Sequence, residues 1–198
     1  MKIFSTLILV VLLVCISSIA QTDGDPISIG KYRTLHSEIL KEERVLSITL
    51  PKNYDSAISS YPVVYHLYGD RIEQYYSEAT SVINQLSSDG AMPEVILIGI
   101  DERNQRYRDL LPQANDGSDT GIMDFTRFIN EEVFPFVETN YRTKPYRILV
   151  GPQVGANFGI YTLFTNPDLF DAFIINNPFR WTGGRDLLFD KLEHYTES

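Results

Sequence analysis

Residues 147–157 form the stretch that most constrains how this chain can fold. Three consecutive apolar residues before Gly151 predict a short buried strand, and the residues after Gly155 predict a helix. Glycines at these two positions place no Cβ atom between the strand and the helix, so the two elements can cross at close range. We therefore expect a sharp strand–turn–helix with Gln153 at its apex.

Two other apolar runs, at residues 62–69 and 94–101, are nearly continuous and predict strands buried on both faces. Between them, apolar residues recur at helical spacing over residues 72–86, and Gly90 is expected to stop that helix. Strands that alternate with helices are typical of an α/β fold with a parallel central sheet.

The same patterns predict the remaining elements. The first is a hairpin with strands at residues 34–39 and 44–50 and a turn at 41–43. A polar loop at 102–120 precedes a helix at 122–137, which Pro135 is expected to bend. After the apex we expect a helix at 155–164, a strand at 172–176 and a last helix at 186–195. We expect the strand at 172–176 to lie at the edge of the sheet. Because an apolar edge strand promotes association, either the helix at 186–195 or a partner chain is expected to cover it.

The first 20 residues have the charged start, short apolar core and small-residue ending of a secretory signal, with cleavage after Ala20. A secreted or periplasmic location follows, with lipidation at Cys15 as an alternative. Cleavage at Ala20 removes the single cysteine, so no disulfide is expected. We divide the rest into a flexible segment at 21–33 and one domain at 34–198.

The formal net charge is −9, from 17 basic and 26 acidic residues. Nucleic acids and anionic membranes both select a basic surface. We therefore predict no nucleic-acid partner, and no membrane partner once the signal has been removed.

Six segments together carry a resemblance to a known family, at residues 44–54, 61–65, 106–112, 128–143, 147–155 and 177–181. Their order and spacing over residues 34–181 resemble the putative-esterase family of α/β hydrolases, which includes esterase D-like and enterochelin esterase-like enzymes. The resemblance implies a mostly parallel sheet with an N-terminal antiparallel hairpin and helices on both faces. It also implies hydrolysis of carboxylic esters by Ser, His and Asp. We predict no cofactor and no metal.

The catalytic residues of that family do not carry over to this sequence. The nucleophilic serine of the Gly-x-Ser-x-Gly motif falls on Gln153, and a carboxamide has no ionisable nucleophile. The family's Asp and His follow two further strands, and the sequence stops before them. We therefore expect an incomplete, C-terminally truncated domain at 34–198, in which His194 is a surface residue.

The oxyanion-stabilising positions can still be assigned by the resemblance. The N–H of Val154 is expected at a helix start, where it would face an oxyanion, and a second donor is expected near Tyr68 and Gly69. Three further residues are expected to line a cleft for a small ester or aromatic ligand: Asp70, Arg108 and Trp181.

Structural roles are the alternative for several of these residues. Arg108 with Asp109 is favoured as an ion pair that fixes the long polar loop, and Tyr75 and Tyr76 are favoured as core residues. The backbone at Gln153 is expected either to keep the strain of a nucleophile turn or to relax.

The sequence thus predicts a secreted esterase homologue that is catalytically inactive, because Gln153 replaces the nucleophile. The alternative is an active hydrolase of small or aromatic esters with a nucleophile that the sequence does not identify.

Overall fold

A computed structural model describes residues 28–68, 72–102, 104–113 and 118–178. Several predictions fall outside these residues: the signal peptide, Gly69, Asp70, Trp181 and the helix at 186–195. The described part contains a sheet of six strands: β1 (Lys31–Ser37), β2 (Glu42–Thr49), β3 (Tyr61–Leu67), β4 (Ile96–Ile100), β5 (Thr143–Pro152) and β6 (Ala172–Asn176).

The order of the strands across the sheet is β1-β2-β4-β3-β5-β6. Strands β1, β2 and β4 pair antiparallel, whereas β4, β3, β5 and β6 pair parallel. The carboxyl ends of the parallel strands therefore meet at one edge of the sheet, where open α/β sheets bind their ligands. The mostly parallel sheet with an N-terminal antiparallel hairpin confirms the predicted architecture.

Helices cover both faces of the sheet. They are α1 (Ser77–Ser88), α2 (Arg106–Leu110), α3 (Ile122–Phe128), α4 (Phe134–Asn140) and α5 (Val154–Thr165), with a 3₁₀ turn at Pro167–Leu169. Alternate residues of β3 point to opposite faces, so Tyr65 packs with Phe134 of α4, and His66 meets Tyr76 before α1. The core is larger on the face of α3, α4 and α5.

The N-terminal hairpin differs from its predicted bounds. Strand β1 begins at Lys31, inside the segment predicted to be flexible, because its backbone pairs with β2 as far as Ile48. The turn comes earlier than predicted and ends at Lys41, which has a φ of +56°. The carboxylate of Glu132 accepts hydrogen bonds from the N–H groups of Glu38 and Ile39, at 2.9 and 3.1 Å, and thereby fixes this turn.

The predicted helix at 122–137 is interrupted by a π-helical turn at Ile129–Val133, between α3 and α4. Pro135 is the second residue after that turn. Its ring has no N–H to donate and crowds the carbonyl group four residues earlier, and the wider π turn relieves that crowding. The structure thus has an irregularity next to Pro135, where a bend was predicted, in the form of a π turn.

The predicted polar loop at 102–120 contains helix α2, which fixes a buried ion network. The Asp109 carboxylate is fully buried and contacts Arg44 at 2.5 Å and Arg108 at 2.7 Å. Glu42 contacts both arginines from strand β2, at 2.7 and 2.6 Å. The Arg108–Asp109 pair thus has the structural role that was favoured from the sequence. Its partners on β2, Glu42 and Arg44, were not predicted.

His66 should make stability depend on pH, because it is 4% exposed in the centre of the sheet. Burial lowers the pKa of His66 to about 4, whereas an unfolded histidine titrates near 6.5. Between these values the unfolded chain binds more protons, so stability is complete above about pH 6.5 and is lost as the pH falls toward 4. We expect a loss of about 2 kcal/mol at pH 5, measured by urea unfolding.

The matched variants are His66→Gln, which removes the buried titration, and His36→Gln, which changes an exposed histidine. The acid-induced loss should shrink in the first variant and remain in the second. An unchanged pH slope in His66→Gln would contradict the assignment.

Candidate functional site

The turn between β5 and α5 carries Gln153 in a strained backbone conformation. Its φ is +50° and its ψ is −115°, well outside the regions that side-chain-bearing residues favour. Such a conformation costs about 1–3 kcal/mol and persists only where surrounding contacts fix it. The N–H of Gln153 donates to the carbonyl oxygen of Asn176 at 2.9 Å. Of the two predicted outcomes, the apex therefore keeps its strain.

Gly151 and Gly155 lie where the strand and the helix cross. A Cβ atom on Gly151 would lie 2.7 Å from the carbonyl carbon of Gly155, closer than real Cβ contacts allow. A Cβ atom on Gly155 would lie 3.1 Å from the Cβ of Leu67 on β3. The backbone geometry of a nucleophile turn is thus present in full, with glutamine at its apex.

The side chain of Gln153 is half-buried and is engaged by a neighbouring tyrosine. Its amide nitrogen donates to the hydroxyl of Tyr75 at 2.6 Å. The ring of Tyr75 in turn packs edge-on against Tyr68, with 5.5 Å between the ring centroids. A carboxamide in this position can donate and accept hydrogen bonds, but it supplies no nucleophile.

The N–H of Val154 is the donor that an oxyanion would use, and it already has a partner. It donates to the hydroxyl oxygen of Tyr68 at 3.3 Å, a long but acceptable hydrogen bond. Tyr68 is 3% exposed, and burial raises the pKa of its phenol. The hydroxyl beside Val154 is therefore neutral at physiological pH.

The backbone of Tyr68 also departs from its expected role. Its φ is +68°, and its N–H donates to the buried carboxylate of Glu102 at 2.9 Å. The guanidinium carbon of Arg106 lies 3.9 Å from the centroid of the Tyr68 ring, a cation–π contact. The backbone donor predicted at Tyr68 is thus directed to Glu102, and the side chain of Tyr68 faces the apex.

A profile of the family described as "Putative esterase" matches residues 37–181 of this chain. The chain belongs to this esterase family. The finding confirms the resemblance predicted from the sequence, and it covers the apex and every described contact around it.

Individual relatives support the same assignment. The chain is 27% identical over 157 residues to the ferri-bacillibactin esterase of Bacillus subtilis, a match over 69% of this chain and 54% of that protein. It is 34% identical over 80 residues to the siderophore enterobactin esterase of Emericella nidulans, a match over 39% of this chain and 25% of that protein. The chain thus spans about half of the length of the first relative and a quarter of the length of the second.

Solved structures agree with the described fold. An IroE-like serine hydrolase from Shewanella oneidensis superposes with a TM-score of 0.67 at 30% identity, over 84% of this chain and 54% of its own. The siderophore hydrolase EstB from Aspergillus nidulans gives a TM-score of 0.74 at 21% identity, over 91% of this chain and 66% of its own. The second likeness concerns the fold alone, and both confirm the α/β-hydrolase-like class.

Of the residues predicted to line a cleft in this esterase homologue, only Arg108 lies within the described part of the chain. Arg108 belongs to the ion network with Glu42 and Asp109. Asp70, Trp181 and the second oxyanion position, Gly69, lie outside the described residues. Sequence reasoning missed the hydroxyl contacts of Tyr68 and Tyr75, for which the only signal was a cluster of tyrosines after β3.

Two further properties concern the part of the chain that the structure describes. None of its helices has the length and hydropathy needed to cross a membrane. Within the same residues, His, Cys, Asp and Glu form no group of three or more placed to bind a metal ion.

Proposed function

We propose that this chain is a secreted member of the esterase family that does not hydrolyse esters. The observation that carries the proposal is Gln153 at the apex of an otherwise intact nucleophile turn. Ester hydrolysis by this fold requires a nucleophile that is activated by a neighbouring base. The amide of Gln153 cannot attack a carbonyl group in that way, and it donates instead to Tyr75.

The two histidines of the described residues support this proposal. His36 lies on the exposed N-terminal hairpin and contacts Glu43 at 2.7 Å. His66 lies in β3 and packs against Tyr76, on the face of the sheet opposite α5. Each of these histidines therefore has a structural environment away from the apex, and His194 lies outside the described residues.

The oxyanion position gives independent support. Stabilisation of a tetrahedral intermediate depends on N–H donors directed at the developing negative charge. The donor of Val154 already serves the hydroxyl of Tyr68. An ester carbonyl would have to displace this tyrosine before it could bind.

Two substrates test the proposal. The first is p-nitrophenyl acetate, a generic activated ester, and the second is enterobactin, because one relative is named as an enterobactin esterase. We expect the wild-type protein to release product from either ester no faster than buffer alone. Liquid chromatography of the reaction mixtures and absorbance at 400 nm provide the two readouts.

Two variants make the assay specific. Gln153→Ala removes the apex amide, and Gln153→Ser restores the nucleophile type of the family. We expect neither variant to gain turnover. In Gln153→Ser, the N–H of Val154 still donates its hydrogen bond to the hydroxyl of Tyr68. Turnover by the wild-type protein would overturn the proposal. Its loss in Gln153→Ala would assign the activity to the apex, and its survival would assign it to another nucleophile.

The export part of the proposal rests on the sequence of residues 1–20. Intact mass of the protein recovered from the culture medium or periplasm should correspond to a chain that begins at Gln21.

A further inference from the structure

The side chain of Tyr68 fills the position beside Gln153 where a ligand of this fold would contact the Val154 N–H. Its hydroxyl oxygen accepts that N–H at 3.3 Å. The ring is almost fully buried, at 3% exposure, between Arg106 on one side and Tyr75 on another. The turn therefore presents an occupied pocket, and the occupant is a phenol.

Several contacts on different elements place this phenol. The guanidinium carbon of Arg106 in α2 lies 3.9 Å from the ring centroid, and the ring of Tyr75 packs against it in a T-shaped arrangement. The backbone N–H of Tyr68 donates to Glu102 after β4, at 2.9 Å. The φ of +68° turns the side chain out of the strand alternation of β3 toward α5. A tyrosine at positive φ is uncommon, so these contacts must compensate for its strain.

We propose that Tyr68 is an internal plug, whose phenol occupies a pocket at the apex that is shaped and polarised for a small phenolic ligand. The pocket offers the Val154 N–H to a hydroxyl oxygen and the Arg106 guanidinium to an aromatic face. A ligand of this class enters when the Tyr68 side chain leaves. The inference rests on the proposed function only for the location of the site, because it concerns binding and not turnover.

The decisive variant is Tyr68→Gly, which removes the ring and tolerates the positive φ without strain. The probe is 4-methylphenol, which reproduces the tyrosine side chain that the variant lacks. The matched control is Tyr68→Phe, which keeps the ring in the pocket and removes the hydroxyl. All three proteins are full-length, and binding is followed by calorimetric titration and by thermal unfolding.

We expect Tyr68→Gly to bind 4-methylphenol, and the wild-type protein and Tyr68→Phe not to bind it. At ten times its dissociation constant, the probe should lower the unfolding equilibrium constant of Tyr68→Gly roughly tenfold. Methylbenzene lacks the hydroxyl and should bind about tenfold more weakly, because the Val154 N–H is then left without a partner. Equal binding of 4-methylphenol to wild type and Tyr68→Gly would overturn the proposal, as would its failure to bind a folded Tyr68→Gly.

A second measurement does not depend on the folding of the glycine variant. The Val154 amide resonance should move upfield in Tyr68→Phe, and its hydrogen exchange should accelerate, because its acceptor is gone. An unchanged Val154 amide in Tyr68→Phe would overturn the proposed contact. Ester turnover by the wild-type protein would overturn the proposed function and leave these binding results intact, so the two failures are distinguishable.

Discussion

Gly151→Ala should destabilise the protein by about 3 kcal/mol or more, at or beyond the upper end for overpacking. A Cβ atom at this position would lie 2.7 Å from the carbonyl carbon of Gly155 and 3.1 Å from the amide nitrogen of Ala156. These are backbone atoms of the first turn of α5, so no side-chain rotation can relieve the contact. Either β5 or α5 must shift, and with it the pairing of β5 with β3 and β6.

Urea unfolding followed by circular dichroism at 222 nm measures this loss. For a domain of this size, 3 kcal/mol corresponds to a fall in Tm of roughly 6–12 °C. The matched control is Gly155→Ala, whose Cβ would meet side-chain atoms of Leu67 at 3.1 and 3.2 Å. Alanine also gains about 1 kcal/mol of helix propensity over glycine there, so we expect a net change within about 1 kcal/mol. An equal or larger loss in Gly155→Ala would show that contact with the backbone of α5 does not set Gly151 apart.

Asp109→Asn should cost about 3 kcal/mol, because it leaves a buried arginine with less compensating charge. Arg44 is 3% exposed and contacts two carboxylates, those of Glu42 and Asp109. Its guanidinium also lies over the rings of Phe125 and Phe128, at 5.6 and 5.8 Å, and cannot reach water without disrupting that packing. Glu42 remains as a partner in the variant, which keeps the cost at the lower end of the range for a broken buried pair.

The control for this prediction is Arg127→Gln, which breaks an exposed ion pair between Arg127 of α3 and Glu131 of the following π-helical turn. Exposed pairs of this kind contribute less than about 1 kcal/mol. Equal losses of unfolding free energy in the two variants, measured by urea unfolding, would show that the buried Asp109 network stabilises the protein no more than an exposed ion pair does. The double variant Arg44→Met/Asp109→Leu should be more stable than Asp109→Asn, because it removes both buried charges together.

The sequence predicts the central strands well because strands that are buried on both faces have continuous apolar sequences. Strands β3 and β4 were predicted within one or two residues of their observed bounds, and β6 in full. Strand β5 begins earlier than predicted, at Thr143, because its first half is polar and contains Pro145. Whether such a segment forms a strand depends on pairing with neighbouring strands, and the sequence of the segment alone does not reveal that pairing.

The buried ion network shows a signal that was present in the sequence and was missed. Arg44 alternates with Leu46 and Ile48 on one face of β2, and that face is buried. A cation on the core-facing side of an alternating strand needs a buried anion. The pairing with Asp109, 65 residues away, could therefore have been sought from the pattern of β2, although the pattern alone does not name the partner.

At the apex, the glycines and Gln153 follow from the motif, whereas the contacts of Tyr68 do not. The resemblance assigns a backbone donor near Tyr68, and the structure directs that donor to Glu102. The difference depends on the sign of one φ angle, which is set by tertiary contacts of Glu102 and Arg106 and not by local sequence. The stability experiments above concern the scaffold, whereas Tyr68 and Gln153 are the residues that a functional experiment must change.

The positive φ at Gln153 also bears on how hydrolases are recognised from coordinates. A search that uses only Cα positions and torsion angles would select this turn, because the strand, the close glycines and the helix are all in place. Such a search reports the shape of the backbone, whereas the side chain at the apex determines whether a nucleophile is present. Any survey that annotates hydrolases by backbone shape should therefore read the apex residue before it assigns a reaction.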